Sequence, residues 1–419
     1  MNLRKMIIGT LTLIMVGAIL TATGGVFADQ KSNVVKSTLD NVRAYAPAST
    51  QEGAAYAIDG GLLFTSNNGQ WLQVSTPKEI IVSAVATTQD MAETESIYIG
   101  AANQMAIYRS TDGGESWLHV PMSDAYVGGV TDLAVDSNLR LVYVGTDTAG
   151  LFRLRDVGPS MIVTSHLLLD EGVREVVTDN TGAGMAFART DWNLYRADNL
   201  GMRWETVGSL GSPPTALAIA NTEPVAVYVG TTDRGLLTSN DGVNWTTANA
   251  GLGMTPGTRL KIDALSVDPQ LPDVLYVATS YLFGSTTVQQ TPVSVAMSVN
   301  GAEAWMPLQA LDSVAVAELM PVAGQPGAVY ALMANNRTPL AMGEAPAMTV
   351  EVAQVAEIVQ VETLTETRLT ADEASSSNNT LAWIVAALAA AALLFAIFSD
   401  IGKGKGQSAN RGTLSPNVG

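Results

Sequence analysis

Histidine and cysteine, which most often supply nucleophiles and metal ligands, are scarce in this chain. There is no cysteine, and the two histidines are His119 and His166. Composition therefore excludes thiolate catalysis, disulfides and cysteine-bound zinc, and it leaves little basis for a Ser-His-Asp triad or a histidine-rich metal site. Each histidine lies in a predicted strand or an apolar run, where we interpret it as structural. We expect no cofactor and no bound metal.

Carboxylates are the groups left that could catalyse a reaction. Two of them about 5–10 Å apart across a cleft can cleave a glycosidic bond, and arginines that converge there could bind an anionic substrate. The spacing of the arginines does not itself bring any of them together, so we predict no catalytic residue. The arginines considered are Arg140, Arg153, Arg155, Arg174, Arg189, Arg196, Arg203, Arg234 and Arg259.

A repeated strand pattern indicates which elements position these side chains. Seven copies of an apolar strand occur, and their central residues are 42, 45, 43, 42, 48 and 54 residues apart. A period in the forties with strand-rich units is typical of propeller blades, because one thin sheet buries its faces only against neighbours. We predict an all-β, seven-bladed β-propeller of four-stranded antiparallel blades at 41–350, preceded by an N-terminal segment at 29–40. The central residues are Tyr56, Tyr98, Tyr143, Ala186, Tyr228, Tyr276 and Tyr330.

The turn before the fourth strand of several units carries the most specific motif. Its fullest copy, Ser110–Trp117, reads Ser-Thr-Asp-Gly-Gly-Glu-Ser-Trp. The aspartate can close the turn, glycine supplies a positive φ, and tryptophan can fill the gap between sheets. We interpret this motif and its altered copies as structural. The residues concerned are Ser110, Asp112, Gly114 and Trp117; Asn199, Gly201 and Trp204; Ser239, Asp241, Gly242 and Trp245; Ser298, Asn300 and Trp305; and Ser66, Gly69 and Trp71.

This turn resembles the Asp-box, or BNR repeat, of a β-propeller superfamily. The resemblance covers residues from about 40 to 350 and implies a fold rather than an activity. The superfamily includes sialidases, endoglucanases, sortilin-type receptors and propellers similar to photosystem II stability/assembly factors. The chain lacks the Arg-Ile-Pro motif of sialidases and the cysteines of sortilins, and it is most similar in style to the assembly factors. Those are non-enzymatic proteins that hold membrane-complex subunits during assembly.

The two ends of the chain predict contact with a membrane. Residues 1–28 combine Arg4 and Lys5 with an apolar run and a Val-Phe-Ala cleavage site, which is typical of a secretory signal peptide. An uncleaved anchor helix is the alternative. Near the other end, Leu381–Phe398 is a stretch of 18 residues without a charge, long enough at about 27 Å to cross the hydrocarbon core.

We therefore predict a transmembrane helix at 381–399, with a buried core helix as the alternative. Basic residues follow it, so the positive-inside rule places a short tail, 400–419, in the cytoplasm and the propeller outside. An acidic linker at 351–380 would connect the two, and 349–361 could close the last blade as a strand or helix. Small residues that would let another helix approach are Ala386, Ala387, Ala390 and Ala391.

Net charge further limits the partners. At −17, the chain would be repelled by phosphate backbones, so nucleic acid is excluded as a partner. We expect partners among other membrane or extracytoplasmic proteins at a bacterial cell surface or periplasm, and a glycan ligand stays open.

The function predicted is that of a membrane-anchored, non-catalytic protein-binding scaffold, assembly factor or accessory subunit of a membrane complex. The alternative is an anchored carbohydrate-active enzyme, a glycoside hydrolase of the Asp-box type. An enzyme needs paired acids in a deep axial groove, whereas a scaffold needs a broad exposed patch.

Overall fold

The computed structural model describes residues 35–344, except for 37, 49–53, 68–69, 90–94, 124, 199, 209 and 255–256. The chain divides into two compact units, 1–354 and 355–419, and all described residues belong to the first. The predicted signal peptide, linker, membrane span and tail lie outside them. No helix in the described ranges is long and apolar enough to cross a membrane.

Seven antiparallel sheets make up the described part of the chain, which confirms the predicted all-β, seven-bladed propeller. Blade 1 contains β1 (Val35–Lys36), β2 (Val42–Pro47), β3 (Ala55–Asp59), β4 (Leu62–Asn67) and β5 (Gln70–Gln73). Blade 2 contains β6 (Val82–Gln89), β7 (Glu95–Ala101), β8 (Ala106–Ser110) and β9 (Leu118–Pro121). Blade 3 contains β10 (Val130–Asp136), β11 (Leu141–Thr146), β12 (Leu151–Asp156) and β13 (Met161–Leu167).

The remaining blades follow the same order. Blade 4 contains β14 (Glu175–Thr178), β15 (Ala186–Arg189), β16 (Leu194–Asp198) and β17 (Arg203–Thr206). Blade 5 contains β18 (Pro214–Ala220), β19 (Ala226–Thr231), β20 (Leu236–Ser239) and β21 (Thr246–Thr247). Blade 6 contains β22 (Arg259–Val267), β23 (Leu275–Phe283), β24 (Gln289–Ser298) and β25 (Met306–Ala310), and blade 7 contains β26 (Val316–Pro321), β27 (Ala328–Met333) and β28 (Pro339–Gly343).

Within each blade the strands are paired in chain order from the axis outward. The innermost strands β2, β6, β10, β14, β18, β22 and β26 contact one another in sequence around the axis. Two blades depart from four strands: β1 adds a fifth strand outside β5, and blade 7 has three strands in the described residues. A fourth strand from 349–361 stays a prediction, since that segment lies beyond residue 344.

Up-and-down connectivity gives the ring two faces. The connector face carries the loops between the second and third strand of each blade and the loops that lead to the next blade. The box face carries the other two sets of loops, including the motif turns. Blade 6 extends farthest on the connector face, because β23 and β24 continue pairing as far as Phe283 and Gln289.

Aromatic residues of the second strands hold neighbouring blades together. Tyr143 of blade 3 meets Trp204 of blade 4 edge-on, with ring centroids 5.8 Å apart. Phe187 meets Trp245 in the same way at 6.3 Å. Phe187 therefore occupies the tyrosine position of the fourth repeat, and the assignment of that position to Ala186 was wrong by one residue.

Blades 7 and 1 close the ring by packing. Met320, Tyr330 and Leu332 of blade 7 form one buried cluster with residues of blade 1 that include Phe64 and Trp71. In the described structure no strand is shared between these two blades. Closure therefore depends on side chains and on a few hydrogen bonds across the seam.

Candidate functional site

The motif turns lie on the box face and bond mainly to themselves. Ser110 Oγ donates to Asp112 Oδ1 (2.7 Å) and accepts from the Gly114 N–H (2.8 Å). Burial works against ionisation of Asp112, but hydrogen bonds from Ser116 and Ser110 hold its pKa down at about 2. All of these groups are engaged in forming the turn.

The altered copies show how far the same geometry is kept. Ser298 donates to Asn300 (2.8 Å), and Ser239 donates to Asp241 (2.9 Å). Ser66 instead accepts from the Ala55 N–H (2.9 Å), so the shortened first copy bonds differently. Asn199 and Gly69 lie outside the described residues.

The motif tryptophans and glycines contact the preceding blade. Trp117 Nε1 donates to Ser75 O (2.7 Å) and Trp305 Nε1 to Ala248 O (2.9 Å). A β-carbon on Gly201 would lie 2.4 Å from Tyr143 Oη, so a larger residue would collide with the neighbouring blade. The described motif residues therefore connect neighbouring blades.

Replacing Ser110 by alanine is expected to lower the free energy of unfolding by about 1–2 kcal/mol. The serine is 2% exposed, and its loss would leave the Gly114 N–H buried and unpaired. Urea unfolding followed by tryptophan fluorescence measures the change. Thr111→Ala, an exposed neighbour, serves as the control and should stay within about 0.5 kcal/mol. Equal effects of the two variants would contradict the role given to Ser110.

Both histidines are held by aromatic contacts. His119 stacks on Tyr108 with centroids 4.9 Å apart. His166 stacks on Phe152 at 4.0 Å, and its Nε2 lies 2.6 Å from Ala149 O. No group of three or more His, Cys, Asp or Glu side chains within the described ranges is arranged to hold a metal ion.

Near the connector face, the innermost strands are linked by a repeated hydrogen bond. Ser83 Oγ donates to Val130 O (2.6 Å) of the next blade. Thr131 and Thr215 bond in the same way to Val173 O and Ile262 O, both at 2.7 Å. The donors occupy bulges in strands β6, β10 and β18. A hydroxyl thus links blade 2 to blade 3, blade 3 to blade 4 and blade 5 to blade 6 near the axis.

The next position along the innermost strand carries an acid in three blades. Asp132, Glu175 and Glu318 stand where four other blades have alanine (Ala44, Ala84, Ala216 and Ala264). Asp132 accepts from the Val176 N–H of the following blade (2.7 Å). Glu175 pairs with Arg189 and Glu318 with Arg337, each at 2.7 Å.

Glu175 and Glu318 line an axial cavity of about 390 Å³. Its wall combines aliphatic side chains such as Val177 and Ile219 with Tyr45, and it continues past Pro269 toward the box face. Of the nine arginines considered above, Arg189 is the one that pairs with an acid lining this cavity. The nine arginines therefore do not converge on this cavity.

Burial, followed by the charge of Glu175, raises the pKa of Asp132 to about 8. Burial also raises the pKa of Glu318 to about 7, although Arg337 opposes the shift. Burial raises the pKa of Glu175 as well, against the effect of Arg189. Asp132 and Glu318 can therefore carry a proton near neutral pH, which is the chemistry of a general acid, and of the two only Glu318 lines the axial cavity.

Sequence reasoning missed these acids, although a signal was present. Aligning the seven innermost strands places each acid where the other four blades carry alanine. A large ionisable group at a position occupied by alanine in four of the seven repeats breaks the repeat pattern, and that break was the signal in the sequence.

The connector face carries the most exposed apolar side chains. Val127 is 94% exposed and Trp192 is 76% exposed. The apolar residues of this face that have exposed side chains are Leu62, Ile81, Val127, Leu169, Trp192, Met254, Phe283 and Val288. Among the described residues the box face has fewer, and none of those is aromatic: Val157, Leu200, Met202, Val243 and Val299.

Comparison with solved structures places the chain among seven-bladed β-propellers. The GH74 xyloglucanase from Xanthomonas campestris matches with a TM-score of 0.53 and 19% identity, over 74% of this chain and 52% of that one. YCF48 from Cyanidioschyzon merolae matches with a TM-score of 0.52 and 12% identity, over 74% and 97%. A structure of YCF48 bound to D1 peptide matches with a TM-score of 0.51 and 11% identity, over 77% and 98%.

At these identities the likeness establishes the fold. The chain spans about half the length of the GH74 enzyme and nearly all of YCF48. No protein-family model and no curated protein sequence matches it.

Proposed function

We propose that this propeller is a non-catalytic scaffold that binds another protein through its connector face. The observation that carries the proposal is the concentration of exposed apolar side chains there, including Trp192 and Phe283. Exposed apolar patches on soluble domains mark interaction surfaces, and aromatic residues dominate binding energy in protein interfaces.

The comparisons support this proposal at the level of architecture. YCF48 consists of little more than a propeller of this size, and one of its structures contains a bound peptide. The GH74 match covers only half of the enzyme. A single propeller is thus compatible with peptide binding.

The proposal includes the location predicted from the sequence. A signal peptide at 1–28 would export the chain, and a helix at 381–399 would anchor it with the propeller outside and the tail in the cytoplasm. The scaffold would then act on membrane or extracytoplasmic proteins, as an assembly factor or accessory subunit of a membrane complex. The motif turns would make it a member of the Asp-box superfamily.

The test uses the tagged full chain, extracted in mild detergent, with co-purifying proteins identified by mass spectrometry. The double variant Val127→Ser/Phe283→Ser on the connector face should recover about fivefold less partner than the wild type, because it removes two of the exposed apolar side chains proposed to contact the partner. The matched variant Val243→Ser/Val299→Ser on the box face should recover the partner unchanged. Equal recovery by both variants would contradict the proposal.

A glycoside hydrolase is the second candidate, and the raised pKa values of Asp132 and Glu318 favour it. Against it, Glu175 and Glu318 are neutralised by arginines and Asp132 bonds to backbone. Two results together would favour the hydrolase function over the scaffold function. The chain would be recovered without a partner, and it would hydrolyse xyloglucan with an activity that is lost in Asp132→Asn.

A further inference from the structure

A small cavity on the connector face adjoins the exposed Trp192. Its volume is about 340 Å³, and it lies where the turn between β15 and β16 meets the loop from blade 4 to blade 5. We name it the Trp192 pocket; its wall includes Trp192, Leu194, Val207, Leu210, Gly211 and Pro213. Leu194 and Leu210 are 2% and 8% exposed and form an aliphatic floor.

Arg234 lies against one wall of this pocket. Its Nη1 donates to Leu210 O at 2.9 Å. A β-carbon on Gly211 would be 2.1 Å from the same nitrogen, so the absence of a side chain at 211 gives the guanidinium its place. Arg234 is exposed, and the neighbouring carboxylate of Asp233 approaches Arg259 instead, at 3.8 Å.

We propose that the Trp192 pocket takes a large apolar side chain of the partner protein, with an adjacent acidic residue bound by Arg234. This proposal rests on the scaffold function above and names the partner's chemistry. An aliphatic floor beside an exposed indole suits a leucine or aromatic side chain. A guanidinium at the rim, which forms no ion pair within the described structure, provides the charge complementarity for a carboxylate.

The polar groups at the rim argue for a peptide rather than a sugar. Ser212 Oγ accepts from the Asp233 N–H (3.3 Å), and Asn193 Nδ2 lies 3.5 Å from Tyr195 Oη. Thr206 also bonds to Tyr195. These groups are already engaged with the protein, whereas a saccharide would need several polar partners at once.

Fluorescence polarisation with four labelled nonapeptides tests the proposal. The peptides share a Gly-Ser background and carry Phe-Glu, Phe-Lys, Ser-Glu or Ser-Lys at the centre. The full chain is presented in phosphatidylcholine nanodiscs. We expect the Phe-Glu peptide to bind about fivefold or more tightly than the other three, because it supplies both the apolar anchor and the carboxylate.

Two variants assign the two parts of the recognition. Trp192→Ala should weaken binding of the Phe-Glu peptide about tenfold, since aromatic anchors dominate such sites. Arg234→Gln should abolish the preference for Phe-Glu over Phe-Lys while keeping the preference for Phe over Ser. Val243→Ala, an exposed apolar position on the box face, is the control and should change neither. Unchanged melting temperatures verify that the variants are folded.

Three results would overturn the assignment: no binding of any peptide, equal binding to Trp192→Ala, or Trp192-dependent binding of cellobiose in place of the peptides. If peptide binding fails but the Val127→Ser/Phe283→Ser variant still loses its partner, the scaffold function stands and only the pocket's role is wrong. If partner capture fails as well, both proposals fail.

Discussion

Arg337→Ala is expected to lower the free energy of unfolding by about 2–4 kcal/mol, because it opens the seam between blades 7 and 1 and leaves Glu318 without its counter-ion. Arg337 Nε donates to Val42 O (2.6 Å) and Nη2 to Arg43 O (2.8 Å). Nη2 also pairs with Glu318 at 2.7 Å. Blade 7 has Ala317 where blades 2, 3 and 5 use a serine or threonine to reach the next blade, and Arg337 makes the link across the closing seam instead.

Two control variants distinguish the stabilisation given by Arg337 at the seam from that of an ordinary hydrogen bond between blades. Ser83→Ala removes one link between blades 2 and 3 and should cost about 1 kcal/mol. Arg337→Lys keeps a charge near Glu318 but loses the planar fork, so its cost should fall between the other two. Urea unfolding of the full chain measures all three. A cost for Arg337→Ala no larger than that for Ser83→Ala would show that the seam is closed by packing alone.

The second large effect is a loss of stability as the pH rises from 5 to 8. The folded state holds a proton on Asp132, whose pKa is raised to about 8, whereas the unfolded chain releases it near pH 4. Between these values the folded state binds more protons than the unfolded state, so the free energy of unfolding decreases with increasing pH. Glu318, with a pKa of about 7, acts in the same direction.

Asp132→Asn should remove part of this dependence. The amide cannot ionise, and its oxygen can still accept from the Val176 N–H. At pH 8 the variant should be more stable than the wild type by about 1–3 kcal/mol, with little difference at pH 5. Urea unfolding at both pH values measures this. Asp312→Asn, an exposed acid on a connector loop, should leave the pH dependence unchanged. Parallel wild-type and Asp132→Asn profiles would contradict the assignment.

The repeat spacing was sufficient to predict the fold, because every blade must place an apolar strand at the same depth in the ring. Spacing is less exact where the turns between strands differ in length. For this reason the alignment of the fourth repeat assigned Ala186, instead of Phe187, to the tyrosine position. The motif turns were readable because their hydrogen bonds join residues close in sequence, such as Ser110 and Gly114.

The site was much less accessible to sequence reasoning. The axial acids could have been found by aligning the innermost strands, since Asp132, Glu175 and Glu318 replace alanine there. The Trp192 pocket could not, because its floor combines side chains from different strands and a loop between blades. Arg337 was also missed, because its partners Val42 and Arg43 lie at the opposite end of the chain.

Each described sheet is built from one uninterrupted stretch of sequence, with β1–β5 in the first and β26–β28 in the last. Blades can consequently form one after another as the polypeptide emerges from a ribosome or a translocation channel. The side of blade 1 that carries Phe64 and Trp71 then stays exposed to solvent until blade 7 has formed and packs against it. Nascent chains stalled before residue 316 should present this apolar side to chaperones, and completed chains should not.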